Sequence, residues 1–216
     1  MWVKICGTTN LEDAQLAIDA GADAIGFVFG PSKRTVTAEQ VGAITRELPQ
    51  PVDRVGVFVN EPQDRVAEAV HVAGLTGVQL QGDEPAEYVT ALRRLNLLLL
   101  IKTVWAGNSL DTLAERIVAA RSVADRILLD SGSVTQRGGT GNRFDWNDVA
   151  GRLSRMDSPA RLIVAGGLNP SKVATAITLL RPWGVDVASG VEREPGKKDP
   201  QKVQAFVAAA RRACQS

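Results

Sequence analysis

Residues 161–190, RLIVAGGLNPSKVATAITLLRPWGVDVASG, contain the repeating unit from which the fold can be predicted. The apolar runs RLIVAGG (161–167) and GVDVAS (184–189) are typical of buried strands. Between them, apolar residues recur at three- and four-residue spacing after an Asn-Pro pair, a common start of an amphipathic helix. This strand–helix–strand order predicts two parallel strands joined by a right-handed crossover.

The same unit recurs along the whole chain. Eight helical stretches alternate with eight strand candidates, namely WVKIC (2–6), AIGFVF (24–29), RVGVFV (54–59), GVQLQ (77–81), LLLLIKTV (97–104), RILLD (126–130), RLIVAGG and GVDVAS. Eight such units close a sheet on itself, so we predict a single (β/α)8 TIM-barrel domain over residues 1–216. The alternative is a doubly wound open sheet, which more often carries a Gly-rich fingerprint after its first strand. CGTTN (6–10) is not such a fingerprint.

Composition excludes several classes of function. The chain has 216 residues, with 25 basic and 24 acidic side chains and a formal net charge of +1, so no global field favours nucleic acid or an anionic membrane. Cys6 and Cys214 have no paired spacing and His71 is the only histidine, which argues against a zinc site. No signal peptide is visible, and the longest apolar run, LNLLLLI, is too short to span a bilayer. We therefore expect a cytoplasmic protein.

Polar and Gly-rich residues follow the predicted strands. In a barrel of this kind the active site lies at the carboxyl ends of the strands. The clusters at those positions are Cys6-Gly7, Gly30 to Arg34, Gln81-Gly82-Asp83, Asp130, Gly166-Gly167 and Ser189-Gly190. The chain therefore concentrates its reactive and anion-binding residue types at one end of the predicted barrel.

The last two clusters predict a phosphate site. Glycines let backbone N–H groups approach an anion closely, and the loops after strands seven and eight frequently bind phosphate in these barrels. The candidate residues are Gly166, Gly167, Ser189 and Gly190. The alternative is that these glycines serve only tight turns.

Cys6 ends the first strand at the predicted mouth. One interpretation is a small buried core residue, because free cysteine packs like a hydrophobe. The other is a general base, favoured by Lys4 on the same strand face, since a cation stabilises the thiolate. Lys4 has its own alternative, an interior ion pair with Asp186 on the eighth strand.

Asp130 ends the sixth strand after the apolar run RILL, where a carboxylate must be paired or placed for function. The stretch behind it, SGSVTQRGGTGNRFDW (131–146), carries Gly138, Gly139 and Gly141. Such a loop can close over a substrate and exclude water. An ordinary surface loop is the alternative.

Motifs along essentially the whole chain resemble the phosphoribosylanthranilate isomerase family of tryptophan biosynthesis. They stand in the family's order and near its spacing: VKICG (3–7), SKRTV (32–36), GVQLQGDE (77–84), LLDS…GGTG…FDW (128–146), AGGLNPSKV (165–173) and DVASGVE…GKKD (186–199). No single motif is specific, but the set is.

The resemblance implies a cofactor-free Amadori rearrangement of N-(5-phosphoribosyl)anthranilate to 1-(2-carboxyphenylamino)-1-deoxyribulose 5-phosphate. It implies Cys6 as general base, Asp130 as general acid and Arg34 as the contact for the anthranilate carboxylate. It also places substrate contacts at Gln81, Asp186 and the two phosphate loops. A phosphosugar is then the small-molecule partner of a monomer or homodimer that needs no metal.

One position departs from the family, which usually has VQLHG where this chain has VQLQG. Gln81 replaces that histidine; it can donate a hydrogen bond but does not titrate near neutral pH. A related isomerase with a second aminoaldose phosphate as substrate stays open.

Three other functions also stay open. A sugar-phosphate epimerase would usually bring a metal site. A Schiff-base lyase would use a reactive lysine, with Lys102 and Lys4 as candidates. A phosphate-binding protein without catalysis is the third, although both Cys6 and Asp130 are present.

Overall fold

Eight parallel strands form a closed barrel in the order of the sequence, which confirms the predicted barrel and excludes the open sheet. The computed structural model describes residues 1–49, 51–97, 99–106, 111–131, 146–153 and 162–214. The barrel strands are β1 (Trp2–Ile5), β2 (Ala24–Val28), β3 (Asp53–Phe58), β4 (Gly77–Leu80), β5 (Leu99–Trp105), β6 (Arg126–Asp130), β7 (Leu162–Val164) and β8 (Gly184–Val187). That residues 1–216 make one domain stays a prediction.

Side chains alternate between the two faces of each strand, as the pleat requires. Those on the outer face pack against the helices in the larger apolar core. The inner face carries a smaller apolar cluster: Trp2, Ala24, Val55, Leu99, Ile101, Leu128, Ile163 and Ala165. β1 closes the barrel against β8, with Lys4 directly opposite Asp186. Polar residues of the inner face therefore lie above an apolar floor.

Helices follow the strands in the described chain. They are α1 (Leu11–Asp19), α2 (Ala38–Arg46), α3 (Gln63–Ala73), α4 (Ala86–Ala91), α5 (Leu113–Arg121), α6 (Trp146–Leu153), α7 (Val173–Leu180) and α8 (Pro200–Ala213). Asp199 caps α8, with Pro200 in the first turn, as its sequence predicts. The Asn-Pro signal at 169–170 does not start α7, which begins at Val173. Instead, the Asn169 side chain accepts hydrogen bonds from Ser171 and forms a separate turn.

The sequence did not predict a small hairpin between β8 and α8. Its antiparallel strands are β9 (Glu192–Glu194) and β10 (Lys197–Lys198), and Gly196 between them has a φ of 82°. A positive φ of this size favours glycine because it has no Cβ. The hairpin holds Glu192 and Lys198 beside the mouth of the barrel.

Two further predictions concern loops and membranes. The predicted closing loop, with Gly138, Gly139 and Gly141, lies outside the described residues. Within the described ranges, no helix has both the length and the apolar character needed to cross a bilayer.

Candidate active site

The sequence-predicted residues meet at the carboxyl ends of the barrel strands. Cys6 directly follows β1, Asp130 is the last residue of β6, and Gly190 lies just beyond β8. Because all eight strands are parallel, these three ends share one rim of the barrel. The predicted convergence is confirmed, and it gives the chain one candidate active site.

Gly26 on β2 makes room for the Cys6 thiol. A Cβ atom built on Gly26 would lie 2.7 Å from Cys6 Sγ and 2.8 Å from Lys4 Cε. Cys6 itself is only 6% exposed. The absence of a side chain at Gly26 therefore lets Cys6 and Lys4 lie side by side on the inner face.

Lys4 forms the interior ion pair that was one of its two predicted roles. Its Nζ donates to Asp186 Oδ1 at 2.9 Å and to Gln79 Oε1 at 3.0 Å, and its side chain is fully buried. Burial alone would lower the pKa of Lys4, but the Asp186 carboxylate and then Cys6 raise it above its ordinary value. Asp186 lies below the rim, and its predicted contact with substrate stays a prediction.

The pKa of Cys6 shifts upward, whereas Lys4 alone was expected to favour the thiolate. Burial raises the pKa of the Cys6 thiol above its ordinary value, because this desolvation outweighs the stabilisation of the thiolate by Lys4. The Asp186 carboxylate adds to the rise, because its negative charge disfavours a nearby thiolate. Lys4 lowers the pKa of Cys6, as predicted, but burial has the larger effect.

Asp130 is 9% exposed at the end of β6 and contacts Gln81. The distance from Gln81 Nε2 to Asp130 Oδ2 is 3.5 Å, a long hydrogen bond. Gln81 Oε1 accepts from Thr103 Oγ1 at 2.8 Å. The amide at the family's histidine position therefore faces the predicted acid, whereas His71 lies exposed on α3.

Arg34 lies above Cys6 and is held by Glu192, which sequence reasoning did not single out. Its Nε and Nη2 donate to the two Glu192 oxygens at 2.7 and 2.6 Å, a bidentate pair. Its stem packs on Gly7, since a Cβ there would lie 2.4 Å from Arg34 Cδ. Glu192 thus occupies one edge of the guanidinium and leaves the Nη1–Nη2 edge for another carboxylate.

Lys198 extends this cluster to the backbone of Cys6, just after β1. It is 1% exposed, donates to Glu192 Oε1 at 3.0 Å and also contacts the carbonyl oxygen of Cys6. Burial lowers the pKa of Lys198 even though Glu192 opposes that shift. Burial acts to raise the pKa of Glu192, but its bonds from Arg34 and Lys198 hold it below its usual range.

The two predicted phosphate loops touch each other. A Cβ on Gly190 would lie 1.8 Å from the carbonyl oxygen of Leu168, so only glycine lets these backbones approach so closely. Gly166 and Gly167 both have a positive φ, 81° and 66°. A Cβ on Gly166 would lie 2.7 Å from Asp130 Oδ1. The glycine loops after β7 and β8 therefore adjoin the predicted acid.

Sequence reasoning missed several residues of the site, although they stand in stretches that the sequence analysis quoted. Gln79 lies two residues before the predicted Gln81, on the same face of GVQLQ, and Glu192 and Lys198 lie in the quoted motif GVE…GKKD. Nothing in their spacing indicates that Glu192 binds Arg34. Within the described ranges, no group of three or more histidine, cysteine, aspartate or glutamate side chains is placed to hold a metal ion.

The fold and this rim of polar side chains are typical of (β/α)8-barrel enzymes, whose active sites lie at the strand ends. Comparison with known proteins gives the family. The model of the N-(5'-phosphoribosyl)anthranilate isomerase family matches residues 3–209. The chain belongs to that family, the isomerases of tryptophan biosynthesis.

Individual relatives are similar to this chain over nearly its full length. The N-(5'-phosphoribosyl)anthranilate isomerase of Thermotoga maritima is 44% identical over 206 residues, covering 95% of this chain and 96% of its own. A phosphoribosylanthranilate isomerase crystallised with reduced 1-(o-carboxyphenylamino)-1-deoxyribulose 5-phosphate superposes with a TM-score of 0.84, at 40% identity and 98% coverage of both chains. Mutually generated monomers of the dimeric Thermotoga maritima isomerase superpose with a TM-score of 0.81, at 40% identity and the same coverage.

Proposed function

We propose that this chain converts N-(5-phosphoribosyl)anthranilate to 1-(2-carboxyphenylamino)-1-deoxyribulose 5-phosphate, with Asp130 as general acid and Cys6 as general base. The observation that carries the proposal is the position of Cys6 and Asp130 on different strands at one rim, beside the adjoining glycine loops. Two reactive groups on separate strands can reach different atoms of one sugar. The relative crystallised with a reduced product analogue supports the same substrate class.

The acid opens the sugar ring. The Asp130 carboxyl gives its proton to the ribose ring oxygen as the bond from C1′ to that oxygen breaks. The lone pair of the anthranilate nitrogen forms the C1′=N bond of a protonated Schiff base. Asp130 lies 9% exposed at the rim, where it can contact a substrate bound at the strand ends.

The base then completes the isomerisation. The Cys6 thiolate takes the proton from C2′, and the electrons of that C–H bond form C1′=C2′ while neutralising the iminium nitrogen. The enolamine becomes the ketone when C1′ is protonated and the C2′ hydroxyl loses its proton. Protons alone are transferred, so the proposed reaction consumes no redox cofactor.

The remaining groups bind the two ends of the substrate. The second edge of Arg34 suits the anthranilate carboxylate, because a planar fork can hold both oxygens. Backbone N–H groups near Gly166 and Ser189 suit the 5′-phosphate. We further expect a cytoplasmic monomer or homodimer that needs no metal, nucleic acid or membrane.

A Schiff-base lyase has less support in the structure. Its two candidate lysines are engaged: Lys102 donates to Glu84 at 2.6 Å and to the Gly82 carbonyl at 2.7 Å, and Lys4 is paired with Asp186. A nucleophilic lysine must be neutral, and the Asp186 carboxylate opposes this by raising the pKa of Lys4.

Turnover is tested with freshly made substrate. The protein, treated with a chelator and dialysed, should abolish the fluorescence of N-(5-phosphoribosyl)anthranilate at a rate proportional to enzyme concentration. Product of unchanged mass should accumulate. Tight binding of the reduced product analogue with no loss of fluorescence would establish a binding protein instead.

Arg34→Met should raise KM for the carboxylated substrate by roughly tenfold to hundredfold, because a charge-assisted pair contributes about 1.5–3 kcal/mol. KM for the decarboxylated analogue N-(5-phosphoribosyl)aniline should change far less. Arg65→Met on exposed α3 is the matched control. Equal losses on both substrates would show that Arg34 has another role.

Product should stabilise the folded protein through the glycine loops, by about 2.7 kcal/mol at a concentration of one hundred times Kd. Gly190→Ala should reduce this ligand-induced rise in Tm, because its Cβ would push the two loops apart. Gly151→Ala on α6, where an added Cβ meets nothing within 4 Å, should keep the full rise. Full stabilisation of Gly190→Ala would place the phosphate elsewhere.

A further inference from the structure

A continuous row of buried and half-buried polar side chains joins the two proposed catalytic residues. It starts at Lys4, beside Cys6, and passes through Gln79 and Gln81 to Asp130. The successive distances are 3.0 Å from Lys4 Nζ to Gln79 Oε1, 2.7 Å from Gln79 Nε2 to Gln81 Oε1, and 3.5 Å from Gln81 Nε2 to Asp130 Oδ2. Gln79 is 3% exposed and is not itself among the residues predicted to contact the substrate.

The direction of this row follows from Lys4 alone. An ammonium group has only donors, so the Gln79 atom that faces it must be the oxygen. The Gln79 nitrogen then faces Gln81, whose nearer atom must be an acceptor and is therefore its oxygen. The nitrogen of Gln81 is left facing Asp130. Thr103 does not set the direction, because a hydroxyl group can donate or accept.

We propose that Gln79 is a positioning residue, which fixes the amide of Gln81 with its NH2 group toward Asp130. The inference rests on the proposed role of Asp130 as the acid. The N–H donor then faces Oδ2 of Asp130, and Oδ1 is the oxygen nearer to Gly166. The carboxylate left after proton transfer keeps the same donor, which stabilises the charge that develops.

Without Gln79, the side-chain amide of Gln81 has a second stable orientation, with its oxygen toward Asp130. A protonated Asp130 can then donate its O–H to the Gln81 oxygen, and the proton is held away from the ring oxygen of the substrate. A carboxylate would still attract the NH2 group, so the orienting effect matters in the protonated form that begins the reaction. Gln79 should therefore affect kcat more than KM.

The same polarity accounts for glutamine at the family's histidine position. A neutral imidazole has one acceptor nitrogen and one N–H, so it can accept from Gln79 and donate to Asp130 as the amide does. The row from Lys4 to Asp130 requires this order of donors and acceptors, and it does not require the side chain at position 81 to titrate. Gln81 and histidine are equivalent in that respect.

A double-mutant cycle tests whether Gln79 acts through Gln81. Gln79→Met keeps the length of the side chain but removes both polar groups, and it should lower kcat roughly threefold to tenfold, the worth of one neutral hydrogen bond. In the Gln81→Met background the same change should have little further effect. Gln204→Met on the exposed face of α8 is the matched control. Additive losses would show that Gln79 acts elsewhere, for example through Lys4.

Replacing Gln81 with histidine, the residue usual in the family, gives a second test of the positioning role. Gln81→His should lose much less kcat than Gln81→Met, and Gln79→Met should reduce kcat again in the Gln81→His background. Similar losses for Gln81→His and Gln81→Met would contradict the requirement for donor–acceptor order.

A readout without turnover separates this inference from the proposed function. In protein with ¹⁵N-labelled glutamine, the side-chain NH2 signal of Gln81 is the one lost in Gln81→Met. That signal should shift in Asp130→Ala, and it should respond less when Gln79→Met is also present. An unchanged response would overturn the positioning role even in an active enzyme, whereas the expected response in a protein without turnover would reject only the proposed reaction.

Discussion

Cys6→Ser should lower kcat by at least about 10²–10⁴-fold, which is what general acid–base catalysis supplies. The hydroxyl group has nearly the same volume as the thiol but stays protonated near neutral pH, so it cannot take the proton from C2′. If Cys6 only packs, the swap should change stability modestly and leave kcat largely intact. Steady-state kinetics, with thermal unfolding of the same samples, separates the two outcomes.

The pH dependence of kcat/KM should also identify Cys6 as the base. Burial raises the pKa of Cys6, and a base acts only when deprotonated, so kcat/KM should rise as the pH increases toward that pKa. This rise should disappear in Cys6→Ser. Product affinity should survive, because Cys6 holds neither the phosphate nor the benzoate. Near-normal turnover in Cys6→Ser would require another base, with Lys4 the first to test.

Asp130→Asn should produce a loss of comparable size, about 10²–10⁴-fold in kcat. The amide keeps the shape of the carboxyl group but cannot deliver a proton to the ring oxygen, so ring opening becomes slow. Asp125→Asn, immediately before the same strand and at the opposite end of the barrel, offers a control for the chemical change. Undiminished kcat in Asp130→Asn would remove it from the acid role.

The barrel could be predicted from sequence because its signal is local and repeated. Each apolar run, such as GVDVAS, indicates a strand. Eight such strands with intervening helices are compatible with few architectures, and the closed (β/α)8 barrel is the first of them. The rim residues followed from the same periodicity, because each strand end places Cys6 or Asp130 at a known edge. Family motifs then assigned roles to positions that the periodicity had already brought together.

The rest depends on contacts between distant parts of the chain. The bidentate pair between Arg34 and Glu192 spans 158 positions, and no pattern within either segment indicates its partner. The raised pKa of Cys6 reflects burial and the negative charge of Asp186, opposed by the positive charge of Lys4, and this balance depends on packing. The hairpin of Glu192 and Lys198 is too short for periodicity to reveal it.

The most direct test of the central claim measures the effect of deuterium at C2′ on turnover in two variants. If Cys6 takes the C2′ proton, C–H cleavage is the slow step in Cys6→Ser, and the deuterated substrate should react more slowly than the ordinary one. If Asp130 opens the ring, ring opening is the slow step in Asp130→Asn, and deuterium at C2′ should make no difference there. An isotope effect in Asp130→Asn, together with none in Cys6→Ser, would contradict both assignments.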